Sequence, residues 1–225
     1  PGVLYPTPGE DDDGHGTSVA GIIASEAGNG IGGVGVAWGA TLTGVNILSH
    51  PSFRDGSAFA DELFLASIRH AANFDIMSNS WGYDAYFPEF LNRADAGSFG
   101  TQIEAAFGHV VQNGRDGLGT LVVKAAGNDA INSNGEGFSG SRFIIDVAAV
   151  DPAGQVTYYS NYGTNILVSA GAAEVSTDLM GLPGYGNAIG SAGDYTVDFG
   201  GTSAATPVVS GVIALMLEAN ENLGW

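Results

Sequence analysis

The run Val208-Val209-Ser210-Gly211-Val212-Ile213-Ala214-Leu215-Met216-Leu217 reads as a buried helix, apolar on nearly every side. Such a helix is stable in water only when other elements enclose it, so the chain has to build a core around it. The residues leading into it are as restrictive. In Phe199-Gly200-Gly201-Thr202-Ser203-Ala204-Ala205-Thr206-Pro207 two glycines permit a tight backbone path that a Cβ would obstruct, and Thr202-Ser203 then opens the helix. A hydroxyl there sits among free N–H groups at the positive end of the helix dipole. Taken alone, the stretch is equally a glycine turn with a Thr or Ser N-cap.

The rest of the chain alternates strands and helices. Residues 15–26 read as a buried helix of small residues, 27–35 as a glycine-rich loop and 41–48 as a strand with β-branched alternation. Over 57–73, Phe59, Leu63, Leu65, Ile68, Ala71 and Ala72 recur at helical spacing, and 101–111 is a further helix ended by Asn113-Gly114. Strands are expected at 75–81, 118–126, 143–150 and 166–170, loops at 1–14 and 83–100, and a loop-rich stretch before the final helix over 203–220. This alternation predicts an α/β fold with a mostly parallel, twisted sheet covered on both faces. With 225 residues and no internal repeat or linker, one domain over 1–225 is expected.

Charge narrows the partners. Six Lys and Arg against 24 Asp and Glu give a net charge of −18, which repels phosphate backbones and argues against nucleic acid while favouring cations. The absence of cysteine excludes disulfides and thiolate metal sites. No segment reads as a membrane span, and the start at Pro1, without a targeting segment, reads as internal.

Two further stretches stand out. Asp13-Gly14-His15-Gly16-Thr17-Ser18-Val19-Ala20-Gly21 sets a histidine at the head of a small-residue helix, either as a structural N-terminal residue or as a catalytic base. Ala125-Ala126-Gly127-Asn128 ends a strand on an amide side chain, which elsewhere is a turn residue. Together, and in this order with Gly201-Thr202-Ser203 and Pro207, these motifs resemble those of the subtilisin superfamily of serine proteases along essentially the whole chain. The resemblance implies a three-layer α/β/α fold, Ser203 as nucleophile, His15 as general base and then acid, and Asn128 as oxyanion donor beside the Ser203 N–H. The chemistry suits these residues: a serine hydroxyl needs an imidazole to take its proton, and the tetrahedral oxyanion needs fixed donors.

Within the superfamily the chain resembles the kexin/furin branch. Residues 26–37, Asn79-Ser80-Trp81-Gly82, 114–119 and 217–223 carry that likeness. It implies a calcium loop in which Glu26, Ile31 and Gly33 supply backbone carbonyls and Asn29 its side-chain oxygen, the alternative being a metal-free glycine turn. Ser80, Trp81 and Gly82 would pair with the substrate backbone, although Trp81 also suits a core. Ala125, Ala126 and Gly127 would wall the primary specificity pocket. Glu136, in Glu136-Gly137-Phe138-Ser139, would pair with a basic substrate residue or else be an exposed loop glutamate. A protein or peptide substrate, a pro-peptide, a C-terminal β-rich domain and a secreted or cell-surface location are further implications.

The chain departs from the pattern in two places. Two acidic positions of the branch's second calcium site are Ala85 and Asn161 here, with Asp84 beside the first. The family order is Asp, His, Ser, and Asp11-Asp12-Asp13 lie too near the helix start to fold back onto His15, so the aspartate-bearing strand is expected to be missing from this stretch. That predicts a poor enzyme for the stretch by itself. The alternative function is a non-catalytic binding or scaffold module.

Overall fold

The computed structural model describes residues 14–47, 58–82, 97–181, 184–185 and 193–225. Among these, a parallel sheet forms the middle layer in the order β1 (Ile76–Asn79), β2 (Leu121–Ala125), β3 (Ile145–Val150) and β4 (Ile166–Gly171). Among the described residues four α-helices accompany it: α1 (His15–Ala24), α2 (Ala58–His70), α3 (Phe99–Asn113) and α4 (Thr202–Ala219). Ser98 caps α3, its hydroxyl accepting from the Thr101 N–H.

Neighbouring valines on β2 show how the layers stack. Val122 joins Phe64, Ile68, Ile103, Phe107, Val110 and Phe138 beneath α2 and α3, whereas Val123 joins Val147, Ala149, Ala205, Val209 and Ile213 beneath α4. Successive strand side chains point to opposite faces, so a strand buried on both belongs inside a parallel sheet. Full burial of each such side chain is worth roughly 1.5–3 kcal/mol. The expected three-layer α/β/α arrangement is therefore present.

Small residues bring α1 close to the strand β5 (Ala173–Thr177), which pairs antiparallel with β6 (Tyr195–Gly200). The Ser18 hydroxyl donates to the Thr177 carbonyl (2.8 Å), and Ser176 and Thr177 return hydroxyl bonds to the carbonyls of Ser18 and Thr17. Gly21 permits this approach, because a Cβ there would lie 2.2 Å from Thr177 Oγ1.

Several expectations change. β5 and β6 occupy part of the stretch read as loop, their alternation being short and broken by a register shift at Glu174/Ser176. Residues 41–47 form no strand and are exposed apart from Ile47. Their β-branched pattern favours extended chain, but a strand also needs a second strand to pair with, and among the described residues no strand pairs with this segment. The final helix is only half enclosed: Val212, Leu215 and Met216 are exposed, since the sheet covers one side of α4. By length and composition alone α4 could cross a membrane, yet half of it is buried against the protein. Of the expected loop 83–100, residues 83–96, with Asp84 and Ala85, lie outside the described residues, as do Asp11, Asp12 and Asp13, and Phe99 and Gly100 already belong to α3.

Gly21→Ala is expected to cost about 1–3 kcal/mol by overpacking the α1–β5 contact. Thermal denaturation should show a midpoint lowered by roughly 2–10 °C.

Candidate active site

The carboxyl ends of β1 and β2 meet the amino end of α4, and Thr202 joins them. Its N–H donates to Asn128 Oδ1 (2.8 Å), its hydroxyl approaches the same oxygen (3.1 Å), and its Oγ1 accepts the Gly127 N–H (3.2 Å). An oxygen that accepts a backbone N–H fixes the amide rotamer, so the Asn128 NH₂ is the end left to the cleft. Gly201, at φ 78°, turns the chain into α4 in a conformation that suits glycine, and its N–H reaches the Tyr159 hydroxyl.

Pro207 explains the next connection. It lacks the N–H that would bond the carbonyl four residues earlier, and that carbonyl belongs to Ser203. The Ser80 hydroxyl donates to it instead (3.0 Å), while Ser203 Oγ donates weakly to the Ser80 carbonyl (3.4 Å). Ser203 is thus pinned to the segment that follows β1. A cleft of about 140 Å3 opens here, lined by Ser203, Thr202 and Asn128 together with Trp81, Gly82, Ala125, Gly127 and Asp129.

His15 begins α1, which packs on α4 through Ile22, Val19, Ala204 and Val208. Its ring meets Phe199 edge-to-face at 5.3 Å, placing it against the strand that leads into Ser203. Beside this helix start lies buried Asp178, which accepts the N–H groups of Leu179 (2.8 Å) and Tyr185 (2.7 Å). A Cβ on Gly14 would come within 2.4 Å of its carboxylate, so Asp178 closes directly on the amino end of α1, where negative charge is favoured.

Other expected site residues are placed unequally. Trp81 serves two purposes: it borders the cleft, and its ring packs edge-to-face on Phe64 (5.5 Å) and Phe138 (5.7 Å). Ala125 and Gly127 face the cleft. Ala126 is buried at 2% exposure, bonds through its N–H to the Val147 carbonyl and is not among the lining residues. The loop holding Glu26, Asn29, Ile31 and Gly33 is closed at its neck by the Gly35 N–H on the Ser25 carbonyl, and Asn29 Oδ1 accepts the Ile31 N–H (3.1 Å). Among the described residues no group of three or more His, Cys, Asp or Glu gathers as a metal site. The loop's donors are neutral oxygens, hard ligands of the kind calcium takes, and Asn29 Oδ1 keeps a second lone pair.

Sequence reasoning missed three residues and misjudged a fourth. Asn161, noted for the acid it replaces, organises the Asn128 loop. Its Oδ1 accepts the N–H groups of Asp129 (3.0 Å) and Ile131 (3.1 Å), and its Nδ2 donates to the Ala126 carbonyl (2.8 Å). Lys124, Asp146 and Asp178 went unremarked. Lys124 Nζ lies 3.7 Å from Glu136 Oε2, which also accepts the Ser139 N–H. Glu136 is therefore held inside the protein, not free in a loop. Ser139 Oγ passes the network on to fully buried Asp146 (3.1 Å), whose other oxygen accepts from Asn165 (2.7 Å). A basic residue inside an otherwise apolar strand was the available signal for Lys124.

A serine at a helix start, an oriented amide beside it and a histidine-led helix packed on the same element are thus set on one α/β/α fold. The chain belongs to the subtilase family of serine proteases: the family profile Peptidase_S8 (Subtilase family) matches residues 3–225. A calcium-dependent protease of Trichormus variabilis is 32% identical over 98% of the chain, and human furin 33% identical over 96%. The matches span 34% and 25% of those proteins, so the chain covers about a third or less of their length. The crystal structure of a serine protease of Aeromonas sobria superposes with a TM-score of 0.83 at 28% identity, over 97% of this chain and 42% of that one.

Burial pushes the Asp146 carboxyl from 3.8 up to about 6, with Lys124 and the Ser139 hydrogen bond pulling partly back. Between those values the folded protein keeps a proton that the unfolded chain has lost, so stability falls as pH rises through the window, by up to about 3 kcal/mol from this group. Denaturant unfolding from pH 4 to pH 7 should show that decline, and Asp146→Asn should flatten it.

Proposed function

We propose that the protein is a serine endopeptidase in which Ser203 is the nucleophile, His15 the general base and acid, and Asn128 the oxyanion donor. The observation that carries this reading is the Thr202–Asn128 clamp, which aims an amide NH₂ into the cleft beside Ser203. Family membership supports it.

Ser203 Oγ turns from the Ser80 carbonyl towards the imidazole and attacks the peptide carbonyl as His15 takes its proton. The oxyanion receives hydrogen bonds from Asn128 Nδ2 and from the Ser203 N–H, one of the first amides of α4 and so without an intrahelical acceptor. His15 then protonates the leaving amine, and water hydrolyses the acyl-enzyme. The substrate backbone pairs along Ser80, Trp81 and Gly82 as an added strand.

The carbonyls of Glu26, Ile31 and Gly33 and Asn29 Oδ1 would hold a calcium ion, which would stabilise the loop, a reading supported by the name of the Trichormus relative. A secreted or cell-surface location, a pro-peptide and a C-terminal β-rich domain belong to the same proposal. The expected pairing of Glu136 with a basic substrate residue runs against Lys124, which already holds that carboxylate.

In a protein carrying an aspartate-bearing segment ahead of His15, a fluorophosphonate probe should label Ser203 by peptide mapping, and Ser203→Ala should abolish labelling. Absence of labelling and of peptidase activity would instead favour a non-catalytic binding module. Asn128→Ala should lower turnover ~10²–10³-fold, the loss known for this donor in subtilisin itself, with folding intact by circular dichroism. Removal of calcium with EGTA should lower the thermal midpoint, and Asn29→Ala should raise the calcium concentration needed to restore it.

A further inference from the structure

We infer that Lys124 is a specificity-determining residue: its ammonium occupies the place where a basic substrate side chain would meet Glu136, so the primary pocket takes uncharged side chains. This rests on the endopeptidase reading above. Two walls of the cleft beside Ser203 are Gly82 and Ala125. Lys124 Nζ reaches both, donating to the Ala125 carbonyl at 2.8 Å and standing 3.8 Å from where a Gly82 Cβ would lie. On its other side it meets Ser139 Oγ at 3.2 Å and Glu136 Oε2 at 3.7 Å.

The ammonium donates two of its protons to the Ala125 carbonyl and Ser139 Oγ, and Glu136 Oε2, at 3.7 Å, faces it as a charge partner without a hydrogen bond. The ammonium and the carboxylate therefore offset one another's charge, which leaves neither as a bare counter-charge for a substrate side chain. Exposure agrees, the Lys124 side chain being 4% and that of Glu136 13% accessible. Glu136 Oε1 is buried without a hydrogen-bond partner, so the oxygen that could still accept is closed to solvent. A guanidinium entering between Gly82 and Ala125 would have to displace Lys124 or share one carboxylate with it, and stripping a buried ammonium of its partner is costly.

Two measurements test this, one of them independent of turnover. Peptides differing only in the residue before the scissile bond (Ala, Phe, Arg or Glu) should be cleaved with Ala favoured over Arg by at least tenfold in kcat/KM. Lys124→Met should move the Ala-to-Arg ratio at least tenfold towards Arg, and Lys124→Met/Glu136→Gln should move it back. Calorimetry with benzamidine, a compact cation that mimics an arginine side chain, should show no millimolar binding to the wild type, binding to Lys124→Met and none to the double variant.

Preference of the wild type for Arg, or wild-type benzamidine binding that Glu136→Gln removes, would overturn the inference. So would an unchanged ratio and unchanged benzamidine binding in a folded Lys124→Met. If that variant does not fold, the wild-type profile and wild-type calorimetry decide. The benzamidine pattern without hydrolysis of any peptide would uphold the role of Lys124 and remove the protease reading alone.

Discussion

Thr202 is the point on which the arrangement depends. It is fully buried, and its N–H, its hydroxyl hydrogen and its Oγ1 lone pair tie α4 to the loop that leaves β2. Without that clamp the Asn128 amide would be free to flip, and the helix start would lose its registration on the sheet. Pro207 adds a second tie by leaving the Ser203 carbonyl open to Ser80. A strand end, a loop and a helix start are each soft elements; joined by short polar bonds in a buried place they become one rigid unit.

The same economy governs the flank of the site. Lys124, Glu136, Ser139, Asp146 and Asn165 form a polar chain under the aromatic cluster of Phe64, Trp81 and Phe138. Burying so many polar groups stabilises little by itself, because desolvation offsets much of the attraction. Its effect is positional. The chain ties β2 and β3 to the segment around residue 139 and sets the charge behind the cleft walls.

At the other end of the molecule Arg115 holds the closing segment, its guanidinium donating to the carbonyls of Leu223 (2.7 Å) and Glu221 (2.8 Å) while meeting Asp75 at 3.3 Å. The 114–119 and 217–223 stretches, noticed in the sequence only for a family likeness, are thus two halves of one contact. Asn161 makes the same point. As a single letter it marked a lost acid, whereas in space it pairs with three backbone groups of the Asn128 loop.

The motifs around His15, Asn128 and Ser203, the helical spacing over 57–73 and the apolar run after Pro207 were legible in the sequence because each is a local pattern: a helix face, a turn, a cap. The parallel sheet was legible too, since its strands are short, largely apolar runs alternating with helices. Other features were decided only by tertiary structure. β5 and β6 exist as a pair with each other, residues 41–47 stay irregular although their composition suits a strand, and α4 keeps Val212, Leu215 and Met216 at the surface. A strand is a property of two segments, and burial is a property of whatever packs alongside, so neither is written in one stretch of chain. For the same reason the sequence supplied a glutamate suited to a basic substrate residue, and only the fold brought a lysine from β2 within reach of it.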